Sequence, residues 1–391
     1  MSTKLDPTAS VGINNKEIDT SKEIPKKKKK IKKLPKIKDI KLVSVEIGSK
    51  YIKLIEAKKK KDVIQINSAV KIEAPKETMS SGELRNLPNI AAVLKNTLSK
   101  RHISTKDISF TGIANNVISR EITILDSDEI TPKERQMLVE NEIKQYLLIN
   151  LEDYKIQFTD AGRFEEDGVK KMKVLVIAYP NKLIQNYLTI IEGLGSKYKP
   201  CSLDVTNNSL QKVFKHIKTI NDKKIDKEKV YLFIDMGAES FNTSIINNKK
   251  LEFMRLLSGG GNEIDKKIAF KIGMTIEDAE SEKIERCNLM AEELVGIEED
   301  INKAIRSVVN GWIDEIERII QFYNNKEQKR IERIYLYGGG SRLRGISEYI
   351  QERLNMETEK INSFDGVQLD KGVNVHSIDQ FISTLGTVIR F

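Results

Sequence analysis

Cysteine and histidine are scarce in this sequence, and each scarcity removes a class of function. The two cysteines, Cys201 and Cys287, have neither metal-binding nor redox spacing, so a reducing cytoplasm is expected and a disulfide framework is not. The three histidines, His102, His216 and His376, are widely separated and form no HExxH-type pair. A zinc hydrolase or a histidine-based triad is therefore poorly supported. No apolar run approaches the ~20 residues of a membrane-spanning helix, and the N-terminal segment lacks the apolar core of a signal peptide.

Basic charge is also missing where a nucleic-acid-binding face would need it. The formal charge is +9 over 391 residues, but residues 1–41 alone hold 13 Lys against 5 Asp or Glu. The rest of the chain is nearly neutral, which argues against a partner of duplex nucleic acid. The stretch "EIPKKKKKIKKLPKIK" (23–38) marks 1–40 as a disordered basic tail. Contact with an anionic membrane surface is a second role open to it.

What the chain does contain is one phrase written twice. "KLVSVEIGSKYIKLIEAKKK" (41–60) and "YLFIDMGAESFNTSIINNKK" (231–250) share an order: apolar run, acid, apolar residue, glycine, polar turn, second β-prone run, lysines. After the first come one further strand, a helix at 87–100 and a strand at 107–113. A block at 117–180 then holds a strand, a helix from Pro132 and a charged hairpin. Thr131 and Glu134 form a capping box for that helix. A helix and the strand "PCSLDV" close the first half. The second half repeats the three strands, then has helices near 262–272, 275–285 and 293–325. The strand "RIYLYGGG", a helix from Arg342, a short strand near 357–361 and a helix near 378–390 complete it. Two related α/β domains with mixed sheets follow from this pattern.

The repeated phrase suits phosphate. A strand that ends in an acid and a glycine turn brings backbone N–H groups close to an anion, while Glu46 or Asp235 can hold hydrated Mg²⁺. Two more glycine clusters precede helices: "LLSGGGNEIDKKIA" (256–269) and "IYLYGGGSRLRGISEYI" (334–350). Neither fits the P-loop or the dinucleotide fingerprint.

The order of these four elements resembles the actin-like ATPase superfamily. Within it, "EIGSKYIKLIEA", "NEIKQYLLINLEDYKIQF", "DMGAESFNTSII" and "GGGSRLRGISEYI" are most similar to the PilM family of type IV pilus assembly. The resemblance implies two RNase H-like domains with mixed sheets flanking a nucleotide cleft, 41–205 and 206–391, with the last helix packing back on the first. It also implies a small inserted subdomain of the FtsA type at 117–180. By the same resemblance ATP and Mg²⁺ are the cofactors. Glu46, Gly48 and Ser49 form one phosphate loop, and Asp235, Gly237, Ala238, Glu239 and Ser240 the other, with Glu46 and Asp235 on the metal. Gly259, Gly260 and Gly261 help close over the nucleotide. Glu280 and Lys283 flank the adenine, and Gly338, Gly339, Gly340, Ser341 and Arg344 form the adenosine loop. Most of the superfamily has Asp where Glu46 stands, and neither Glu142 nor Gln145 is a convincing base for water, so binding is expected over turnover.

The family likeness also implies a role. It is that of a cytoplasmic ATP-binding adaptor at the inner face of the cytoplasmic membrane. Such an adaptor binds the N-terminal cytoplasmic peptide of PilN and so reaches the PilO platform and the assembly motors. Leu147, Leu148, Ile149 and Leu151 are candidates for the peptide groove or, equally, for packing at a helix end. The chain stops at "TLGTVIRF", without the amphipathic membrane helix of FtsA, so attachment is expected through the partner, supplemented by the lysine tail. The alternatives are an FtsA-like filament or division protein and, more weakly, a sugar or acid kinase.

Overall fold

Two strands are buried along their whole length, and each is the first half of the repeated phrase: β1 (Leu42–Ile47) and, in the second half, Val230–Met236. A strand covered on both faces belongs at the centre of a sheet flanked by helices. The computed structural model describes residues 41–391 apart from 81–82, 113–116, 147–149, 376 and 390–391. The basic tail, His376 and the groove candidates Leu147, Leu148 and Ile149 lie outside the described residues.

From β1 the chain runs through β2 (Tyr51–Lys60), β3 (Val63–Glu73), α1 (Leu87–Lys100), β4 (Asp107–Gly112), β5 (Ile118–Leu125) and α2 (Pro132–Tyr146). Next come β6 (Tyr154–Glu166), β7 (Val169–Pro180), α3 (Asn181–Leu194), β8 (Lys199–Val205) and α4 (Thr206–His216). The second half holds β9 (Val230–Met236), β10 (Ser240–Asn247), β11 (Lys250–Ser258), α5 (Gly261–Ile272), α6 (Ile276–Arg286) and α7 (Gly296–Glu327). It ends with β12 (Ile331–Tyr337), α8 (Ile346–Leu354), β13 (Thr358–Lys360), β14 (Val367–Leu369) and α9 (Ile382–Val388).

The two main sheets share one topology. The first has the order β8–β4–β1–β2–β3–β14 and the second β11–β10–β9–β12–β13. In each, an antiparallel trio is continued by two parallel strands beside its first member. The inserted block is a separate three-stranded sheet, β5–β7–β6, with its own core of Ile122, Val139, Ile143, Val174 and Val176 beneath α2. Its helix starts as the capping box requires: Thr131 N–H donates to Glu134 Oε2 at 2.8 Å, and Glu134 N–H donates to Thr131 Oγ1 at 3.3 Å.

Three boundaries differ from the sequence reading. The helix expected from Arg342 begins at Ile346, after a 3₁₀ turn at Gly340–Arg342, because Gly345 takes the left-handed conformation (φ 82°) between them. The last helix is likewise split, with a 3₁₀ turn at Ile378–Phe381 before α9. Strand β14 was not foreseen; it pairs in parallel with β3 and so returns the chain to the first sheet.

Helices α4 and α9 lie between the sheets. Their Leu210, Phe214, Leu385 and Val388 share one core with Leu42 and Ile55 of the first sheet and Phe233 and Tyr335 of the second. They cross where Gly386 meets Ser209, since a Cβ on Gly386 would stand 2.3 Å from the Ser209 carbonyl oxygen. Among the described residues no helix is long and apolar enough to cross a membrane.

Candidate functional site

The two copies of the phrase fold into the same turn. Gly48 N–H donates to the Tyr51 carbonyl at 3.0 Å, and Gly237 N–H donates to the Ser240 carbonyl at 3.0 Å. A Cβ on either glycine would approach that same carbonyl oxygen, at 2.9 Å for Gly48 and 2.7 Å for Gly237. Both turns therefore need a bare backbone, for the same reason. They open onto one cavity of about 1060 Å³ between the lobes.

Most of the residues named from the sequence line that cavity. Glu46, Gly48, Ser49, Asp235, Gly237, Ala238, Glu239, Ser240, Gly261, Glu280, Lys283, Gly339, Gly340 and Arg344 all contribute to its walls. Gly259, Gly260, Gly338 and Ser341 do not, and the structure gives each a supporting part instead. Gly259 adopts φ 105°, and a Cβ on Gly260 would collide with the Ala238 carbonyl at 2.5 Å. This lets Gly261 N–H and Asn262 N–H donate to the carbonyls of Gly237 and Ala238 at 3.1 and 2.9 Å, so the first triple glycine braces the second hairpin. Gly338 (φ 85°) leaves room for Asp235, whose Oδ1 would lie 2.4 Å from any Cβ there. Ser341 is buried and donates to the Gly338 carbonyl at 2.8 Å.

Sequence reading missed Lys53. It stands directly opposite Glu46 across the β1–β2 hairpin, and its ammonium is 2.9 Å from Glu46 Oε1. The signal was present: in a hairpin with this turn the acid faces the residue seven further on. The second hairpin obeys the same register and sets Asn242 opposite Asp235. Burial alone would lower the Lys53 pKa, but Glu46, Asp235 and Asp379 outweigh it and the net shift is upward. Burial pushes the Asp235 carboxyl up to about 7, with Lys53 opposing and Glu46 adding to the rise.

That shift has a testable consequence. An acid whose folded pKa is raised contributes stability below its unfolded pKa, near 3.9, and loses it as pH climbs through the folded value. Without nucleotide or metal, Asp235→Asn should therefore melt several degrees above the parent at pH 8, a gain of a few kcal/mol. The gain should vanish near pH 4. Equal melting points at pH 8 would show that the carboxylate carries no such burden.

Two of the other cleft residues are paired. Lys283 binds Asp265 at 2.6 Å and the Gly261 carbonyl at 3.3 Å. Glu280 takes Lys50 from the opposite lobe. Glu142 and Gln145, by contrast, lie on α2, bond each other at 3.4 Å and do not line the cavity. Leu151 packs against the core of the inserted sheet.

The residues fit a magnesium-bound polyphosphate. One oxygen of Glu46 is held by Lys53, and the other, Oε2, is buried without a hydrogen-bond partner. A hydrated cation would satisfy it. Among the described residues no cluster of three or more His, Cys, Asp or Glu forms a metal cage. Magnesium does not need one, because it is commonly held by one or two carboxylates together with phosphate oxygens.

A family model described as type IV pilus assembly protein PilM matches residues 44–389. The chain belongs to the PilM family. Among solved structures, one described as the PilM-PilN type IV pilus biogenesis complex superposes with a TM-score of 0.75 at 22% identity, over 90% of this chain and 98% of that one. The ethanolamine utilization protein EutJ from Carboxydothermus hydrogenoformans superposes with a TM-score of 0.52 at 12% identity, over 88% of each chain. The fold is the actin-like ATPase fold expected from the sequence, and this PilM-family chain is a type IV pilus assembly protein.

Proposed function

We propose that this chain is an ATP-binding adaptor that joins the inner-membrane part of the pilus machine to its cytoplasmic motors. The observation that carries the nucleotide half is the pair of matched glycine hairpins facing one cavity, each bringing a buried carboxylate. In this reading the hairpin amides cradle the phosphates, Glu46 and Asp235 orient the waters of a magnesium ion, and Gly339, Gly340 and Arg344 lie against the nucleoside. Bound magnesium supplies charge neutralisation of the phosphates. The base candidates Glu142 and Gln145 do not line the cavity, so this reading favours binding over turnover.

The partner half rests on the family and on the inserted subdomain. The related complex contains PilN, and we assign the groove for its N-terminal peptide to the neighbourhood of this insertion. Leu125, Met137, Tyr146, Phe164 and Val169 all expose large apolar side chains there, a composition that suits peptide docking. Through PilN the chain would reach the PilO platform at the inner face of the membrane. Calorimetry of the full chain with a PilN N-terminal peptide tests this. Tyr146→Glu should weaken binding roughly tenfold, as for a central aromatic anchor. Undiminished affinity would move the groove away from the end of α2.

A further inference from the structure

On the first-lobe wall of the cleft, three charged residues stand in a row across neighbouring strands. Glu46 of β1 faces Lys53 of β2, and Lys53 faces Lys71 of β3. Directly paired residues project from the same face of a sheet, about 5 Å apart per strand, and all three line the cavity. Four lysines line it altogether: Lys50, Lys53, Lys71 and Lys283. Three are committed, Lys53 to Glu46, Lys283 to Asp265 and Lys50 to Glu280. Lys71 has no carboxylate partner among the described residues. Its ammonium rests 3.7 Å from the centroid of the Tyr51 ring.

Lys71 stands exposed on the cleft wall, among like charges. Partial desolvation lowers its pKa, and Lys53, Arg342 and Lys50 lower it further, with Asp379 opposing them. Asp379 is itself claimed by Arg342 at 3.4 Å. An exposed positive charge set among positive neighbours favours the arrival of a multivalent anion.

We infer that Lys71 recognises the terminal phosphate of a nucleoside triphosphate and gives the cleft its preference for triphosphate over diphosphate. The inference rests on the nucleotide reading above. In that reading the hairpin amides meet the inner phosphates, which a diphosphate also has. The extra charge of a third phosphate calls for an uncommitted cation, and Lys71 is the lysine that remains.

The test is calorimetry of the full chain with Mg²⁺ and, in turn, ATP, ADP and inorganic tripolyphosphate. Lys71→Met keeps the side-chain length and the stem over Tyr51 while removing the charge. It should weaken ATP and tripolyphosphate at least about tenfold, the worth of one charge-assisted contact, and ADP by less than about threefold. Lys71→Arg should restore the preference for ATP over ADP. If Lys71→Met leaves the ATP-to-ADP affinity ratio of the parent intact, whether both are unchanged or both fall alike, the assignment is overturned and the cleft remains a nucleotide site. A parent chain that binds neither nucleotide overturns both readings.

Discussion

Asp235→Ala is expected to abolish ATP binding while the chain stays folded. The carboxylate is buried at the mouth of the second hairpin turn and lines the cavity. Truncating one partner of a buried charge contact in a binding site costs about 2–5 kcal/mol of affinity, a factor of roughly 30 or more. Folding should not suffer, because desolvation of this carboxyl already works against the empty protein. Gly339→Val provides a second route to the same loss. Gly339 has φ −64°, and a Cβ there finds its nearest atom at 4.0 Å, so the backbone tolerates a side chain that then occupies the cavity. Titration of both variants with Mg²⁺-ATP, alongside circular dichroism, checks the pair. Parent-like affinity in both would reject the cleft as the nucleotide site.

Gly386→Val is expected to produce the largest loss of stability in the molecule. Its Cβ would lie 2.3–2.4 Å from the carbonyl oxygen, Cα and Cβ of Ser209. Most of these are backbone atoms of a packed helix and cannot swing aside. Overpacking of this kind costs about 1–3 kcal/mol where side chains can yield, and more where they cannot. The core on either side draws residues from both sheets, so a wedge at this crossing pushes the lobes apart as well as loosening one helix. Thermal melting should fall by roughly 10 °C, and Gly386→Ala should shift it in the same direction by less. A valine variant that melts with the parent would mean that α4 and α9 do not cross in contact at this point.

Legibility differed between the parts of the site for physical reasons. The hairpin glycines and their acids were readable because a strand, an acid and a glycine turn are local, and their repetition marks the two lobes. Gly259, Gly260 and Gly338 stand behind the cavity wall rather than on it, because glycine signals close approach without saying to what. Here the thing approached is Ala238, Asp235 or another stretch of backbone. Lys53 was recoverable from hairpin register alone. Lys71 was not, since its place in the row depends on the pairing of β3 with β2, whose register shifts between Glu56 and Ala57.

From sequence alone came the duplicated α/β plan, the capped helix of the insertion, the two matched glycine hairpins and the family, because each is written in a continuous run of residues. Tertiary structure decided which charges are paired across the cleft, where the lobes share a core and which cleft lysine has no carboxylate beside it among the described residues. Those outcomes depend on distances between segments far apart in the chain: Lys50 and Glu280 are separated by 230 positions, and packing of the two sheets about α4 and α9 brings them together.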